Sequence, residues 1–563
     1  MLQHCIRMNQ GLSVLGVFST PKQWKKCLFL GFVFLTTVGT SFGNNIAVSN
    51  VSLTGRDVSA GANNASNFVM VKFDLSWENS WRLGGGPANW DAAWVFVKYR
   101  LPGGNWQHAW LNNIGHTAAS GSTIDRGLLI PGTPFNASTN PGLGVFIYRS
   151  SAGNGNVNFS NLQLRWNYGA QGISDGAAVD VQVFAIEMVY VPQGSFYLGS
   201  GGTESGSFTD GSWSSGATIP FLISSEAALG IDNVAGKLWG TSTSGNNTIG
   251  NVAADAEATL PAAFPKGFAD FYCMKYEISQ GQYRDFLNTL DYTQQVQRTA
   301  TVPTSSAGTG ALIDPIANRQ GIEIQTPGVA STTPAVYACN LDNDGNYNEA
   351  EDGEWIACNF LNWADGCAYM DWSGLRPFTE LEFEKACRGI QFPVTGEYSW
   401  GTASTTSANN ITNPGANNEF SNTSGANSAS ATQPNVNGPL RVGSFAGAAT
   451  TRTAAGASYW GIMELSGNLS ERPITVGNSA GRAYTGLHGN GELSSNGRAN
   501  VSGWPTLNAD GEVNSAIGSG LRGGSYGAGI GLMSVSARTQ GAATNGTRFN
   551  TAGFRGVRNA PLL

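Results

Sequence analysis

The sequence predicts an α+β protein, an all-β sandwich first and an irregular mixed region after it. Three observations carry this. Apolar residues alternate at the period of a strand in several runs between residues 44 and 185, capped amphipathic helices follow, and the composition favours turns throughout. Glycine fills 75 of the 563 positions and 12% are Asp, Glu, Lys or Arg, against roughly 25% charged residues in ordinary soluble domains. A chain this long exceeds one core, so two domains and a processing segment are expected.

The first element is a leader. Lys22, Lys25 and Lys26 precede an apolar run from Leu28 to Val38, and Ser41 and Gly43 stand where a signal peptidase reads. Residues 1–43 are expected to be a secretory signal cleaved before Asn44, since the run is short of the about 20 apolar residues that a membrane span takes. No cysteine stands at the cleavage point to accept a lipid, and no later span is foreseen. The protein is therefore expected to be exported, to the periplasm, the cell surface or the medium. A net charge of -7, a pI near 5.3 and the lack of a Lys/Arg run beyond the leader exclude nucleic acid as a partner.

Cys5 and Cys27 fall in the leader, which leaves Cys273, Cys339, Cys358, Cys367 and Cys387. An odd number in an exported chain implies a free thiol or an intermolecular bridge. Cys339 and Cys358 flank an acidic loop and could staple it, while Cys367 and Cys387 read equally well as small buried hydrophobes.

Residues 44–185 carry the strand period. Val69, Val71, Phe73, Leu75 and Trp77 alternate with Lys72, Asp74 and Ser76, and Leu162, Leu164, Trp166 and Tyr168 alternate with Gln163, Arg165 and Asn167. Similar runs at 94–99, 145–148 and 179–183 complete an all-β sandwich. Trp77, Trp81, Trp90, Trp94, Trp106 and Trp110 read as packing between its sheets or, alternatively, as a sugar-binding face.

The second domain is expected over 186–563. Ser279 with Gln282 forms a capping box ahead of Tyr283, Phe286, Leu287 and Leu290, and Thr379 with Glu382 forms another ahead of Phe383, Ala386 and Cys387. A third helix is read from Phe360, Trp363, Ala364, Cys367 and Ala368, ending near Gly374. Residues 299–333 and the Ser/Thr/Asn/Ala/Gly-rich stretch 401–433 read as insertions.

The acidic loop fits a calcium pattern. Asn340, Asp342, Asp344, Gly345, Asn346, Asn348 and Glu351 fall at positions 1, 3, 5, 6, 7, 9 and 12 of an EF-hand loop. A hard cation needs several oxygens around one point, and a glycine-turned loop with alternate polar side chains delivers them.

Further pieces follow in order: Val189 to Gly199, Met274-Lys275-Tyr276-Glu277-Ile278-Ser279, Asn362 to Asp365, Leu375 to Gly389, Tyr398 to Gly401, Gly461 to Glu471, and a close of Gly520-Leu521-Arg522-Gly523-Gly524-Ser525-Tyr526 with Gly553-Phe554-Arg555. Over about two thirds of the chain this order resembles the formylglycine-generating-enzyme, or sulfatase-modifying-factor, family. The resemblance implies an irregular α+β domain related to C-type lectins. Active members of that family carry two cysteines after the closing turn, which bind Cu(I) and oxidise a substrate cysteine with O2. Here those positions hold Ala528 and Met533. Alanine has no donor atom and a single thioether is a weak substitute for two thiolates, so copper and formylglycine synthesis are expected to be absent. The iron branch of the fold needs paired histidines, and His4, His108, His116 and His488 supply none on a helical face. The resemblance also implies a structural calcium ion held by Glu464, Gly467, Leu469 and Glu471.

The sequence thus leads to an exported, non-catalytic binding or assembly protein on a calcium-stabilised frame. Its expected ligand is a protein or glycan at the cell surface, and a homo-oligomer is compatible with it. Two alternatives stand beside it: an oxidoreductase acting on protein thiols through other residues, and a carbohydrate-binding surface protein.

Overall fold

The structure, a computed structural model, describes residues 45–561 except 87, 212–217, 242–248, 250–257, 348, 431–434 and 448–449. The leader foreseen over 1–43 and Asn348 of the acidic loop lie outside the described residues. Strand outweighs helix, 30% against 9%, so the protein is β-rich.

The alternating segments become strands: β1 (Ala47–Asp57), β2 (Phe68–Arg82), β3 (Asp91–Arg100), β4 (Gln107–His108), β5 (Ser122–Leu128), β6 (Gly142–Arg149), β7 (Gly153–Trp166) and β8 (Asp180–Val191). β1, β2 and β7 form a three-stranded antiparallel sheet. Along β2, Val69, Val71, Phe73, Leu75 and Trp77 are buried while Lys72, Asp74 and Ser76 are half-buried, the signature of one covered face.

β3 follows a different rule. Every residue from Asp91 to Tyr99 is buried, because both faces of its sheet are covered. That eight-stranded sheet runs Arg376–Pro377, Gly556–Asn559, Phe271–Met274, β8, β3, β6, β5, with β4 beside β3. One face meets the three-stranded sheet, placing Val95, Val97, Val145 and Val183 with Val71, Phe73 and Leu164. The other places Trp94, Phe96 and Phe146 with Tyr272, Phe286 and Trp372. The boundary foreseen between residues 185 and 186 falls inside β8, whose antiparallel register with β3 runs from Asp91↔Val189 to Arg100↔Asp180. Both regions share this one sheet. A strand serving two cores reads as a continuous apolar run, which gives no warning of such sharing.

The longer helices are α1 (Gln280–Leu287), α2 (Tyr292–Arg298), α3 (Trp363–Trp372) and α4 (Glu380–Arg388), with a single turn, α5, at Ser479–Arg482. Both foreseen capping boxes close: Ser279 Oγ accepts from Gln282 N at 3.3 Å and Thr379 Oγ1 from Glu382 N at 3.1 Å. α2 lacks a long apolar stripe and is capped by Asp291, whose carboxylate accepts from Gln294 N at 2.9 Å. α3 begins after Asn362, whose side chain accepts from Asp365 N at 2.8 Å; Phe360, at φ 56°, precedes the helix. The stretch foreseen as an insertion at 299–333 sends Ala311, Leu312, Ile322 and Ile324 into the core. From 401–433, Ala408 and Ala429 pack with Leu469 and Tyr526. No helix among the described residues is long and apolar enough to cross a membrane.

Candidate functional site

α4 reads Glu-Leu-Glu-Phe-Glu-Lys-Ala-Cys-Arg, and all nine residues are buried. Its glutamates each find arginine. Glu380 accepts from Arg538 Nε and Nη2, both at 2.9 Å, and from Arg522 Nη1 at 3.3 Å. Glu384 accepts from Arg522 at 2.8 Å and Arg388 at 3.1 Å, and Glu382 takes Arg376 through two bonds of 2.9 and 2.6 Å. Burial would raise the Glu380 carboxyl, but Arg538 and Arg522 outweigh it and hold it below the usual range. These pairs clamp the closing turn, for Arg522 exchanges both backbone bonds with Glu471 at 3.0 Å. At Gly524, φ is 66°, and a Cβ there would lie 2.8 Å from Met533 Cγ, so only glycine fits.

Beside the turn opens a cleft of about 440 Å³ whose lining includes Ser470, Ser525, Ala528, Gln540, Phe549 and Thr551. Ala528 is on its wall. Met533 is not: it is buried against Tyr398 and Trp400. The two residues at the family's cysteine positions therefore do not face one cavity.

The segment from Glu464 to Glu471 lies against this clamp. Glu464 sits at φ 53° and Asn468 at φ 60°. Glu464 Oε1 accepts from Gly443 N at 2.8 Å and Glu471 Oε1 from Arg555 Nε at 2.7 Å. The Oε2 atoms of both are buried without a hydrogen-bond partner. Glu277 holds the turn itself, its carboxylate accepting from Leu469 N at 2.9 Å and Asn468 Nδ2 at 2.5 Å. Three buried carboxylates thus answer to Arg555, which also donates to the carbonyls of Met274, Lys275 and Met463. Burial, only partly offset by Arg555 and the Gly443 N–H, pushes Glu464 up to about 7. Burial raises Glu277 far above the carboxylate range, with Glu471 and Glu464 adding to it, and burial raises Glu471 against the pull of Arg555.

The acidic loop is arranged differently from its template. Ligand atoms of Asp342, Asp344 and Glu349 lie within 4.8 Å of one another, all three exposed; Glu351 is outside that group. Asn346 donates its N–H and Nδ2 to Asp344 at 2.7 and 2.8 Å. Asn340 is buried, donates to Glu323 at 2.9 Å, and leaves its Oδ1 without a partner. Asp352 accepts from Glu349 N at 2.8 Å and is pushed by burial up to about 6, although that hydrogen bond opposes the shift.

The sequence profile of the sulfatase-modifying factor enzyme 1-like domain matches residues 180–560. The chain belongs to that family. The match starts at Asp180, the first residue of β8, so the shared strand opens the family domain. No curated protein matches the chain. Among solved structures, Treponema denticola variable protein 1 is similar over 67% of this chain and 96% of its own, at 9% identity and a TM-score of 0.30, an overlap too loose to argue from.

Within the family domain, the staple foreseen between Cys339 and Cys358 is not formed. All five described cysteines are free and buried. Burial raises Cys273 to about 12, and it pushes the other four up as well, so these thiols are kept protonated and unreactive. Two residues carry weight that sequence reasoning missed. Glu277 sat in an otherwise matched motif, and a glutamate between Tyr276 and Ile278 was its only signal. Glu349 fell between the template's ninth and twelfth positions.

Proposed function

We propose that this is an exported, non-catalytic binding protein that uses the family frame to present a contact surface, with the cleft beside the closing turn as its ligand site. The observation that carries the reading is the separation of Ala528, on the cleft wall, from Met533, buried against Tyr398 and Trp400. Cu(I) asks for soft donors converging on one point. Ala528 offers none, the Met533 sulfur is committed to the core, and no cysteine lines the cleft, so the copper chemistry of the family's active members does not fit these residues. The lining is polar, and its one cation, Arg522, is already paired with Glu380 and Glu384, which favours a ligand held by hydrogen bonds, such as a peptide backbone or a sugar.

Calcium fits better. Glu464 and Glu471 each turn one buried oxygen to no partner, the ion pair there is Arg555 with Glu471 while Arg441 reaches Glu464 only through space, and oxygen donors suit a hard cation. The ion would be structural, with Glu277 holding the turn that carries Gly467 and Leu469. The test of the main reading is a copper titration and oxygen-consumption assay on the purified chain with a cysteine peptide. Neither stoichiometric copper nor turnover is expected, and both together would replace this reading with the thiol oxidoreductase.

A second reading has one observation in its favour. Trp77 and Trp94 are core residues, but Trp106 lines a cleft of about 380 Å³ with Asn105, Asn288 and Asp291, and Arg100 lies 4.7 Å from its ring. A glycan array that gives binding lost in Trp106→Ala would establish it.

A further inference from the structure

Arg558, on the strand Gly556–Asn559, is fully buried and is treated unlike the arginines around α4. Its guanidinium donates to the carbonyls of Gly374 and Leu128 and lies 4.4 Å from the Trp94 ring. Among the described residues no carboxylate pairs with it. Burial and the like charge of Arg376 push it down to about 9, which marks a positive charge left short of compensation.

This residue lines a cavity of about 260 Å³ together with Arg126, Gly127, Leu128, Pro131 and Pro134. The Arg126 side chain is exposed, and no ion pair among the described residues occupies it. The wall is pre-built: buried Asn140 accepts from Ile130 N at 2.7 Å and donates to the carbonyls of Ile130, Thr133 and Pro134 at 3.2, 3.1 and 3.1 Å. Gly127 lets β5 approach the charge, since a Cβ there would lie 3.2 Å from Arg558 Nε and 2.3 Å from the Trp94 ring. Proline and leucine walls with one guanidinium buried and another exposed make a site that is apolar along its sides and positive at two points.

We propose that this cavity binds a small organic anion, a carboxylate or sulfonate head on an apolar body, between Arg126 and Arg558. The exposed Arg126 guanidinium offers the fork that matches such a head, Arg558 adds its charge from the wall while its Nη atoms stay on the Gly374 and Leu128 carbonyls, and the space holds on the order of ten non-hydrogen atoms, taking ~30 Å³ of liquid volume per water. The cavity lies between β5 with its following loop and the last strand, apart from the cleft and the carboxylates described above, so it stands or falls independently of them.

Calorimetric titration of the purified chain with benzoate, its neutral analogue benzamide, and inorganic phosphate tests it. Benzoate is expected to saturate with a Kd of about a millimolar or tighter, and both controls are expected to bind at least about tenfold more weakly, a gap of roughly 1.4 kcal/mol. Thr133→Trp, which fills the mouth from an exposed position, should abolish binding, and Arg126→Gln should weaken it several-fold without changing Tm. Four results would each overturn the proposal: no saturable benzoate binding, benzamide equal to benzoate, phosphate equal to benzoate, or binding undiminished in Thr133→Trp.

Discussion

Two groups of buried glutamates lie within one domain and are handled in opposite ways. Around α4, Glu380 and Glu384 meet Arg522, Arg538 and Arg388, and Glu380 is held below its ordinary range. Around the Gly467-Asn468 turn, Glu277, Glu464 and Glu471 are all raised and the ion pair is with Arg555. The residue types and the depth are alike; the count of positive charge differs. The first group is a finished clamp. The second leaves two carboxylate oxygens without partners, the feature on which the proposed calcium site rests.

The strongest way to break this contrast is to remove one carboxylate from each group. Glu380→Gln leaves Arg538 and Arg522 buried and undercompensated, and should cost about 3–5 kcal/mol in urea unfolding. Glu464→Gln, measured with a chelator present, should cost little or stabilise, because it removes a like charge from a crowded set. Equal losses in the two variants would show that the groups do not differ.

The pH dependence should separate them next. Glu464 has a folded value near 7, above its ordinary one, so its ionised form is penalised in the folded state. With chelator, that penalty is full above pH 7 and is relieved as pH falls through 7 toward the ordinary carboxylate range, a gain of roughly 3 kcal/mol at most. Glu380 has the opposite sign: its stabilisation is present above the ordinary carboxylate value and is lost as pH falls through its lowered folded value. Glu464 should therefore contribute a gain between about pH 8 and 5, read as the difference between the wild-type and Glu464→Gln stability curves, because burial lowers His108, His116 and His488 and these move stability the other way over the same range.

Calcium then sharpens the comparison from the ligand side. Free Ca2+ at about 100 times its Kd should stabilise the wild type by about 2.7 kcal/mol over chelator, read as a rise in Tm, and flatten the slope between pH 8 and 5. Glu464→Gln and Glu277→Gln should lose most of that rise, and Glu380→Gln should keep it. A wild-type Tm indifferent to calcium would leave the Glu464 cluster as a site of stored strain alone.

What the sequence disclosed divides along the same line. Ser279 with Gln282 and Thr379 with Glu382 are local pairs three residues apart, so their helices were legible. The order of family pieces was legible too, because each turn or cap is set within a few residues. The sharing of β8 was not, since its paired residues on β3 and Phe271–Met274 lie between 80 and 98 residues away on either side and burial on both faces erases the period-two pattern. Nor could counting from the closing turn reveal that Ala528 and Met533 part company, because that depends on where Tyr398 and Trp400 pack. Charge balance is longer-ranged still: Glu380 and Arg538 are 158 residues apart.

The smallest expected effect concerns the acidic loop, where the EF-hand template and the geometry name different glutamates. Asp342, Asp344 and Glu349 converge, whereas the template chose Glu351. All are exposed, so solvent screens their repulsion and their substitution should leave stability in chelator nearly unchanged. Glu349 is nevertheless raised, by the little burial it has and then by Asp344 and Asp342, so its charge is felt by the pair. If the loop takes calcium, a second and weaker step should follow the first in a titration, with a Kd of about 0.1–1 mM, the range of open extracellular sites. Glu349→Gln should erase that step and Glu351→Gln should spare it. The reverse result would restore the EF-hand spacing over the geometry, and it would mean that the loop closes differently around the ion than it does without one.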